Sequence, residues 1–378
     1  MSGFSFSFSG DDIADIGEEE ELPPITSTTE FHAHPAPKHA AETGSLKREP
    51  FQGSKPTAFP VSEQNLLPVR VHDLQTLLST LPSSISYSTL AVKLDDGTEI
   101  KIPRREWWDV KVQLMSEEVA DLKVTDDAGG AVGLSNEDVR TGVYEGGFKS
   151  WEASVDLVRV LAAQGLNDEL KQARSGKRVL EMGCGTALPT LALFQWKLAG
   201  GQTDAGLDIA LADYNPSVLQ LVTLPNILLS WAQARAGPSW EAEDELEIDA
   251  ELLENFRSDL EQHHINFHFI SGAWGDDFVQ TVSSKWTNAS SQLVVIAAET
   301  IYSPMALRSF TNSLMPMIKA ESRERVLALV AAKMVYFGVG GSMEDFFDAV
   351  REQNGICEKI REESEGVRRA VVRVSLAN

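Results

Sequence analysis

Val179-Leu-Glu-Met-Gly-Cys-Gly-Thr-Ala-Leu-Pro189 decides the fold. An apolar run leads into an acid, then two glycines one residue apart, then a proline suited to a helix start. Glycines in such a turn let the backbone reverse sharply and come close to a ligand. The turn follows the carboxyl end of a strand, where open α/β sheets bind ligands. Dinucleotide-binding loops place a third glycine at the helix start. Leu188 stands there, so no pyrophosphate cradle follows. Glu181 would repel a pyrophosphate but can accept from a cationic amino acid. These details favour S-adenosylmethionine over NAD and put Glu181, Gly183 and Gly185 at the cofactor.

Outward from this stretch, strands and helices alternate, the mark of a Rossmann-like, doubly wound parallel sheet. Arg178 to Met182 reads as the first strand, with a helix from Pro189 to about Ala199. Leu207 to Ala212 is the second strand, followed by helical material through Trp231. Asn266 to Ile270, Leu293 to Ala298 and Arg325 to Ala332 supply three more. Ile356 to Ile360 and Arg368 to Val374 form a closing pair. Asp213 ends the second strand, where a carboxylate can accept from both ribose hydroxyls. Asp213-Tyr-Asn-Pro is also good turn chemistry. The domain runs over 142–378, with an acidic insertion near 237–256. Its Glu241 to Glu254 run reads as a solvated helix or loop, or as a grip for a basic partner.

Residues 63–141 read as an extension. Apolar spacing predicts a helix from Val69 to Leu81, stopped by Pro82. Asp96-Gly97 between two alternating runs predicts a hairpin, with Trp107 and Trp108 packed beneath it. Residues 1–62 mix Ser, Gly, Pro, Thr and acids without periodicity and read as a disordered tail. Its His32, His34 and His39 sit among prolines and do not make a metal site. Phe4, Phe6 and Phe8 read as tail or as a docking motif.

The net charge of −23 opposes direct binding to nucleic-acid phosphates and favours a basic partner. Cys184 and Cys357 are the two cysteines, too few for a disulfide framework, which points to a reducing compartment. The first residues lack the pattern of a signal peptide, and no apolar run is long enough to span a membrane. An intracellular protein is the expectation.

Several separated motifs resemble the histidine protein methyltransferases of the seven-strand methyltransferase superfamily. They are Gly146-Gly-Phe-Lys-Ser-Trp-Glu-Ala-Ser154, the glycine loop, Asp213-Tyr-Asn-Pro-Ser-Val-Leu with Thr223-Leu-Pro-Asn226, Ser271-Gly-Ala-Trp274, Glu299-Thr-Ile-Tyr302 and Tyr336-Phe-Gly-Val-Gly-Gly341. The amino-terminal Phe-Ser-Phe resembles fungal members. The resemblance implies a seven-stranded sheet and cofactor contacts from Ser150, Trp151, Glu152, Ala153, Ser154, Gly183, Asp213, Tyr214, Gly272, Ala273, Trp274 and Ala298. Trp151 and Trp274 can alternatively serve packing. Ala187 and Ala298 stand where relatives often carry Gly and Ser. It also implies methyl transfer to a histidine of a large-subunit ribosomal protein, which fits residence in cytoplasm and nucleus.

Glu299, at the end of the fourth strand, is the candidate carboxylate for the charge an imidazole acquires, and Tyr302 lines the acceptor pocket. Their plainer roles are helix cap and packing residue. Gly338, Gly340 and Gly341 permit a tight loop over that pocket, or simply a turn. The alternatives are a lysine methyltransferase of the same fold, a small-molecule methyltransferase, a binding module without catalysis, and, more remotely, a dehydrogenase.

Overall fold

The computed structural model describes residues 66–121, 139–140, 144–145, 147–172, 175–200, 204–286 and 291–377. The expected tail, with its histidines and phenylalanines, lies outside these residues.

The region read as one helix over Val69–Leu81 divides in two. Arg70–His72 is a strand (β1), and Leu74–Leu78 a short helix (α1) capped by the Asp73 carboxylate, which accepts from the Thr76 N–H. Helical spacing fails here because β1 finds a partner on the edge of the large sheet, pairing Arg70 with Ser271 and His72 with Phe269. The hairpin is present as Ser84–Lys93 (β2) and Glu99–Arg105 (β3), with Gly97 at φ 85° in its turn. Trp107–Asp121 is a helix (α2). Trp107 packs at a tilt against Phe148, ring centres 5.2 Å apart, whereas Trp108 is 56 % exposed, so the pair does not lie beneath the hairpin. Successive helical residues point in directions about 100° apart, and α2 turns Trp107 toward Phe148 and Trp108 toward solvent. Val139–Arg140 (β4) and Tyr144–Glu145 (β5) form a small ladder.

Glu152–Ala163 (α3) and Leu166–Lys171 (α4) lead into Lys177–Met182 (β6), the glycine loop and Leu188–Leu198 (α5). Leu207–Asp213 (β7) precedes a continuous helical segment: Pro216–Val218 (α6), a wide turn at Leu219–Thr223, and Leu224–Ala236 (α7). Pro225 explains the wide turn. It has no N–H for the Leu221 carbonyl four residues back, and the Arg105 guanidinium takes that carbonyl instead at 2.8 Å.

The acidic insertion is more ordered than a solvated loop. Glu243–Glu247 is a strand (β8) against β2, completing a three-stranded sheet ordered β3-β2-β8. Its carboxylates face solvent while Leu246 and the neighbouring Trp240, stacked on Tyr87 at 4.4 Å, face the body of the protein. A charge-dominated strand is hidden from pattern reading, because its pairing partner lies far away in sequence. Ala250–Gln262 (α8) follows, capped by Asp249.

Ile265–Ser271 (β9), Asp276–Ser283 (α9), Gln292–Ala298 (β10), Pro304–Lys319 (α10), Val326–Lys333 (β11), Met343–Glu352 (α11), Gly355–Glu363 (β12) and Arg369–Leu376 (β13) complete the chain. The large sheet is ordered β1-β9-β7-β6-β10-β11-β13-β12. From β9 to β11 all pairs are parallel, and β13 enters antiparallel between β11 and β12. This is the expected seven-stranded doubly wound sheet with an eighth strand, β1, added at the β9 edge.

Both faces are covered. Val179, Ile209 and Leu211 meet α3, α5, α7 and α8, while Leu180, Met182 and Ala210 meet α9, α10 and α11. Every residue of β6 and β7 is buried, and coverage on both sides accounts for the apolar stretches at their centres, Val179–Leu180 and Ile209–Ala212. Strand order reverses between β6 and β10, so their carboxyl ends bound a crevice. The glycine loop occupies one side of that crevice and Glu299 the other. No helix among the described residues is long and apolar enough to cross a membrane.

Candidate active site

Gly183 and Gly185 take left-handed φ values of 67° and 48°. A Cβ on Gly183 would stand 2.7 Å from the Thr300 methyl and 3.7 Å from the Trp274 ring; one on Gly185 would stand 3.2 Å from the Gly147 carbonyl oxygen. Glycine is therefore required at Gly183 for contact with its neighbours as well as for its φ.

Three side chains hold the loop in shape. Thr223 donates to the Gly185 carbonyl at 2.7 Å, and the Asn226 amide donates to the Thr186 carbonyl at 3.0 Å. The Asn226 oxygen accepts from the Arg105 N–H at 2.7 Å, joining the hairpin to the loop. Ser150 shares a hydrogen bond with the Thr186 hydroxyl at 2.9 Å.

Two buried carboxylates flank the loop, and neither makes an ion pair among the described residues. Asp213 accepts from the Gly185 N–H and the Asn215 N–H, each at 3.1 Å. Burial nonetheless raises its carboxyl to about 6. Glu181 accepts from the Thr190 N–H, in the first turn of α5, at 3.2 Å, and burial lifts it to about 8. Two acids kept from solvent without a counter-cation match a ligand carrying both a cationic group and hydroxyls. The hydroxyl of Thr300, buried beside the loop, has no hydrogen-bond partner among the described residues. This donor and acceptor set fits S-adenosylmethionine.

The other wall comes from an unexpected quarter. Leu67 runs alongside the loop after β9: its N–H donates to the Tyr214 hydroxyl at 3.1 Å and its carbonyl accepts from the Ala273 N–H at 2.9 Å. Gly272, at φ 108°, lets this segment approach, since a Cβ would lie 2.3 Å from the Pro68 carbonyl oxygen. Trp274 packs edge-on against Phe310 at 5.9 Å and close to Gly183, so much of its indole is core.

Across the crevice, Glu299 follows β10 with φ 58°, its N–H held by the Ala331 carbonyl at 2.9 Å. Its carboxylate accepts from the Tyr336 hydroxyl at 2.5 Å. Burial raises Glu299 to about 6, opposed by the nearby charge of Lys333, the Tyr336 hydrogen bond and Arg369, while Glu152 adds to the rise. The Lys333 ammonium lies over the Trp151 ring at 4.9 Å. The Gly341 N–H donates to the Tyr302 carbonyl at 3.0 Å, so the loop over residues 336–341 is anchored beside Tyr302. Phe337, at its tip, is 76 % exposed.

Most of the expected residues converge here, with three differences. Ala153 is 1 % exposed and belongs to the hydrophobic core, because its position on α3 faces the sheet. Glu152 is paired to Arg369 at 2.8 Å, which also binds Asp156 at 2.5 Å, so it braces α3 against β13. The Glu181 carboxylate points beneath the α5 amino terminus rather than outward, because it shares the helix-facing side of β6 with Val179. Ser154 is also buried, its N–H closing the first turn onto the Trp151 carbonyl at 2.9 Å. Ala298 ends β10 in register with Ala331, between the two halves of the site.

Reading by residue missed Thr223, Asn226, Lys333, Arg369 and Leu67. Thr223, Asn226 and Tyr336 lay inside quoted motifs without an assigned role; Leu67 and Lys333 carry no local signal. A separate concavity of about 250 Å³, lined by Lys177, Asp208, His264 and Asn266 among others, opens at the amino-terminal end of the sheet. Its Lys177 already meets Glu169 at 2.6 Å and Gln292 at 2.8 Å, and it is remote from the crevice.

No family model matches the chain. Histidine protein methyltransferase 1 of Saccharomyces cerevisiae is 34 % identical over 301 residues, covering 76 % of this chain and 78 % of the yeast protein. Its Schizosaccharomyces pombe counterpart is 34 % identical over 275 residues, 71 % of this chain and 73 % of that one. The solved magnesium protoporphyrin IX methyltransferase of Synechocystis PCC 6803 covers 71 % of this chain and 99 % of its own at 10 % identity, with a TM-score of 0.34, too low to inform the site.

Proposed function

The chain belongs to the histidine protein methyltransferase family, and on that premise we propose that it methylates one histidine of a basic large-subunit ribosomal protein, using S-adenosylmethionine. The observation that carries this reading is the crevice itself. Buried acids flank a glycine loop on one side, and a hydrogen-bonded carboxylate faces it from the other.

Gly183 and Gly185 would admit the cofactor to the backbone, and Asp213 would accept from its ribose hydroxyls. Ser150, Trp151, Tyr214, Ala273 and the exposed edge of Trp274 would complete the walls. When bound, S-adenosylmethionine supplies a methyl group on a sulfonium that keeps the bonding electrons as it leaves.

The protein's own task is alignment, worth about 7–11 kcal/mol at best. Glu299 would accept the N–H of one imidazole nitrogen, leaving the lone pair of the other aimed at the methyl. It would then balance the positive charge the ring acquires. Neutral imidazole is already nucleophilic near pH 7, so no base is needed before attack. Lys333 and Arg369 beside Glu299 disfavour a lysine ammonium in the same place. Tyr302 would line the pocket, and Phe337 would offer an apolar contact to a protein surface at the mouth. The net charge of −23 suits a basic substrate. A ribosomal target would put the enzyme in cytoplasm, nucleus or both.

The test is incubation of the purified chain with labelled S-adenosylmethionine and ribosomal proteins from cells lacking it, with label mapped by mass spectrometry. Label on a single histidine, lost in Asp213→Ala and Glu299→Ala, is the expected result. Label on lysine, or none on any ribosomal protein, would overturn the acceptor or the target respectively.

A further inference from the structure

We propose that Tyr336 is a positioning residue: its hydroxyl fixes the Glu299 carboxylate so that one oxygen stays open to receive the ring N–H of the acceptor histidine. This rests on the catalytic reading of Glu299 given above.

The hydrogen-bond directions follow from chemistry. The backbone N–H of Lys333 lies 3.3 Å from the Tyr336 hydroxyl and can only donate, so the tyrosine oxygen must accept there. Its single proton is then committed to Oε2 of Glu299, 2.5 Å away. Burial also pushes the Tyr336 hydroxyl well above its ordinary range, so it remains a donor at every working pH. Among the described residues, Oε1 of Glu299 accepts no other hydrogen bond. One carboxylate oxygen is thus occupied and oriented, and the other is left for a donor.

The surroundings hold this arrangement without replacing it. The Tyr336 N–H donates to the Gly341 carbonyl at 2.9 Å, and Gly341 packs so tightly on the chain that a Cβ would lie 2.2 Å from the Ile301 carbonyl oxygen. Glu299 itself sits at φ 58°, a conformation that side-chain-bearing residues adopt only when neighbours impose it. The groups facing its carboxylate are Lys333 on β11, Arg369 on β13, Glu152 on α3, and Tyr336, with Tyr302 near Tyr336. Lys333 and Arg369 supply charge to Glu299 and Tyr336 supplies direction. A tyrosine needed only for packing would be interchangeable with phenylalanine.

The experiment uses the full chain as wild type, Tyr336→Phe, Glu299→Gln and the double variant. Initial rates are measured against pH with the extracted ribosomal proteins and S-adenosylmethionine. Independently of activity, infrared titration follows the protonated carboxyl band that Glu299→Gln removes.

In Tyr336→Phe the Glu299 midpoint is expected to rise above its wild-type position near 6. The acid limb of kcat should move upward with it, and kcat at its plateau should fall about 10- to 100-fold, the effect of one hydrogen bond to a charged group. KM for S-adenosylmethionine should stay the same. In the Glu299→Gln background, loss of Tyr336 should cost little more, since the two act as one unit. A wild-type midpoint and kcat in Tyr336→Phe would overturn the proposal.

Full activity in Glu299→Gln would instead remove the catalytic reading of Glu299 and the positioning role with it, even where the infrared shift persists. If Tyr336→Phe does not fold, 3-fluorotyrosine at Tyr336, a stronger donor of nearly the same shape, should lower the Glu299 midpoint; an unmoved midpoint would refute the hydrogen bond.

Discussion

Replacing Glu181 by glutamine should stabilise the protein, in a manner dictated by pH. In the folded chain burial lifts this carboxyl from 4.5 to about 8, and the hydrogen bond from Thr190 offsets only part of the rise. The unfolded chain ionises the same group above about pH 4.5. Its folded form therefore holds a proton that the unfolded form has released, and stability falls as pH rises from about 4.5 to about 8. At 1.36 kcal/mol for each tenfold change, the loss is about 3 kcal/mol at pH 7 and at most about 5 above pH 8.

Glutamine keeps an oxygen for the Thr190 N–H and has no charge to desolvate, so Glu181→Gln should escape this loss. Urea denaturation at pH 5, 6, 7 and 8 reads it directly. The two proteins should nearly coincide at pH 5, with the variant ahead by about 3 kcal/mol at pH 7. Parallel curves, or a variant less stable at pH 8, would refute the claim that an uncompensated buried acid lies beneath the loop.

Asp213→Asn should weaken S-adenosylmethionine binding about 10- to 100-fold by calorimetry, as charged hydrogen bonds to hydroxyls are lost; unchanged affinity would remove Asp213 from the cofactor site. Gly183→Ala combines a left-handed φ with a 2.7 Å contact to the Thr300 methyl. It should lower stability by about 2–5 kcal/mol in urea, and a neutral effect would mean that Thr300 yields freely. Asn226→Ala strands the buried Arg105 N–H and Thr186 carbonyl and should cost about 2–5 kcal/mol, whereas a loss under about 1 would show that the clamp does not hold the loop. Phe337→Ser should raise KM for the protein substrate while leaving kcat and cofactor affinity alone, since the side chain is exposed at the mouth; an unchanged KM would place the substrate elsewhere.

Much of the molecule was legible in one dimension because its signals are local. The apolar runs within β7, β10 and β11 announce strands buried on both faces, and Gly183-Cys-Gly185 announces the ligand turn between β6 and α5. Asp213 and Glu299 could be placed because each follows a strand whose end was visible.

Failure came where the partner of a segment is remote. Arg70–His72 looks helical by spacing but is a strand because β9 offers it an edge. Glu243–Glu247 looks solvated but completes the small sheet through β2. Glu152 and Ala153 lie within the motif expected to contact the cofactor, yet the rotation of α3 turns one toward Arg369 and the other into the core.

By itself the sequence determined the order of the central strands and helices from β6 onward, the acidic insertion apart, and the position of the ligand turn, since hydrophobic period and glycine placement act over a few residues. Only the tertiary structure decided that Leu67 walls the crevice, that Asn226 ties the hairpin to the glycine loop, and that Tyr336 points its proton at Glu299. Hydrogen-bond direction and burial depend on atoms brought together from distant parts of the chain, and no local pattern encodes that meeting.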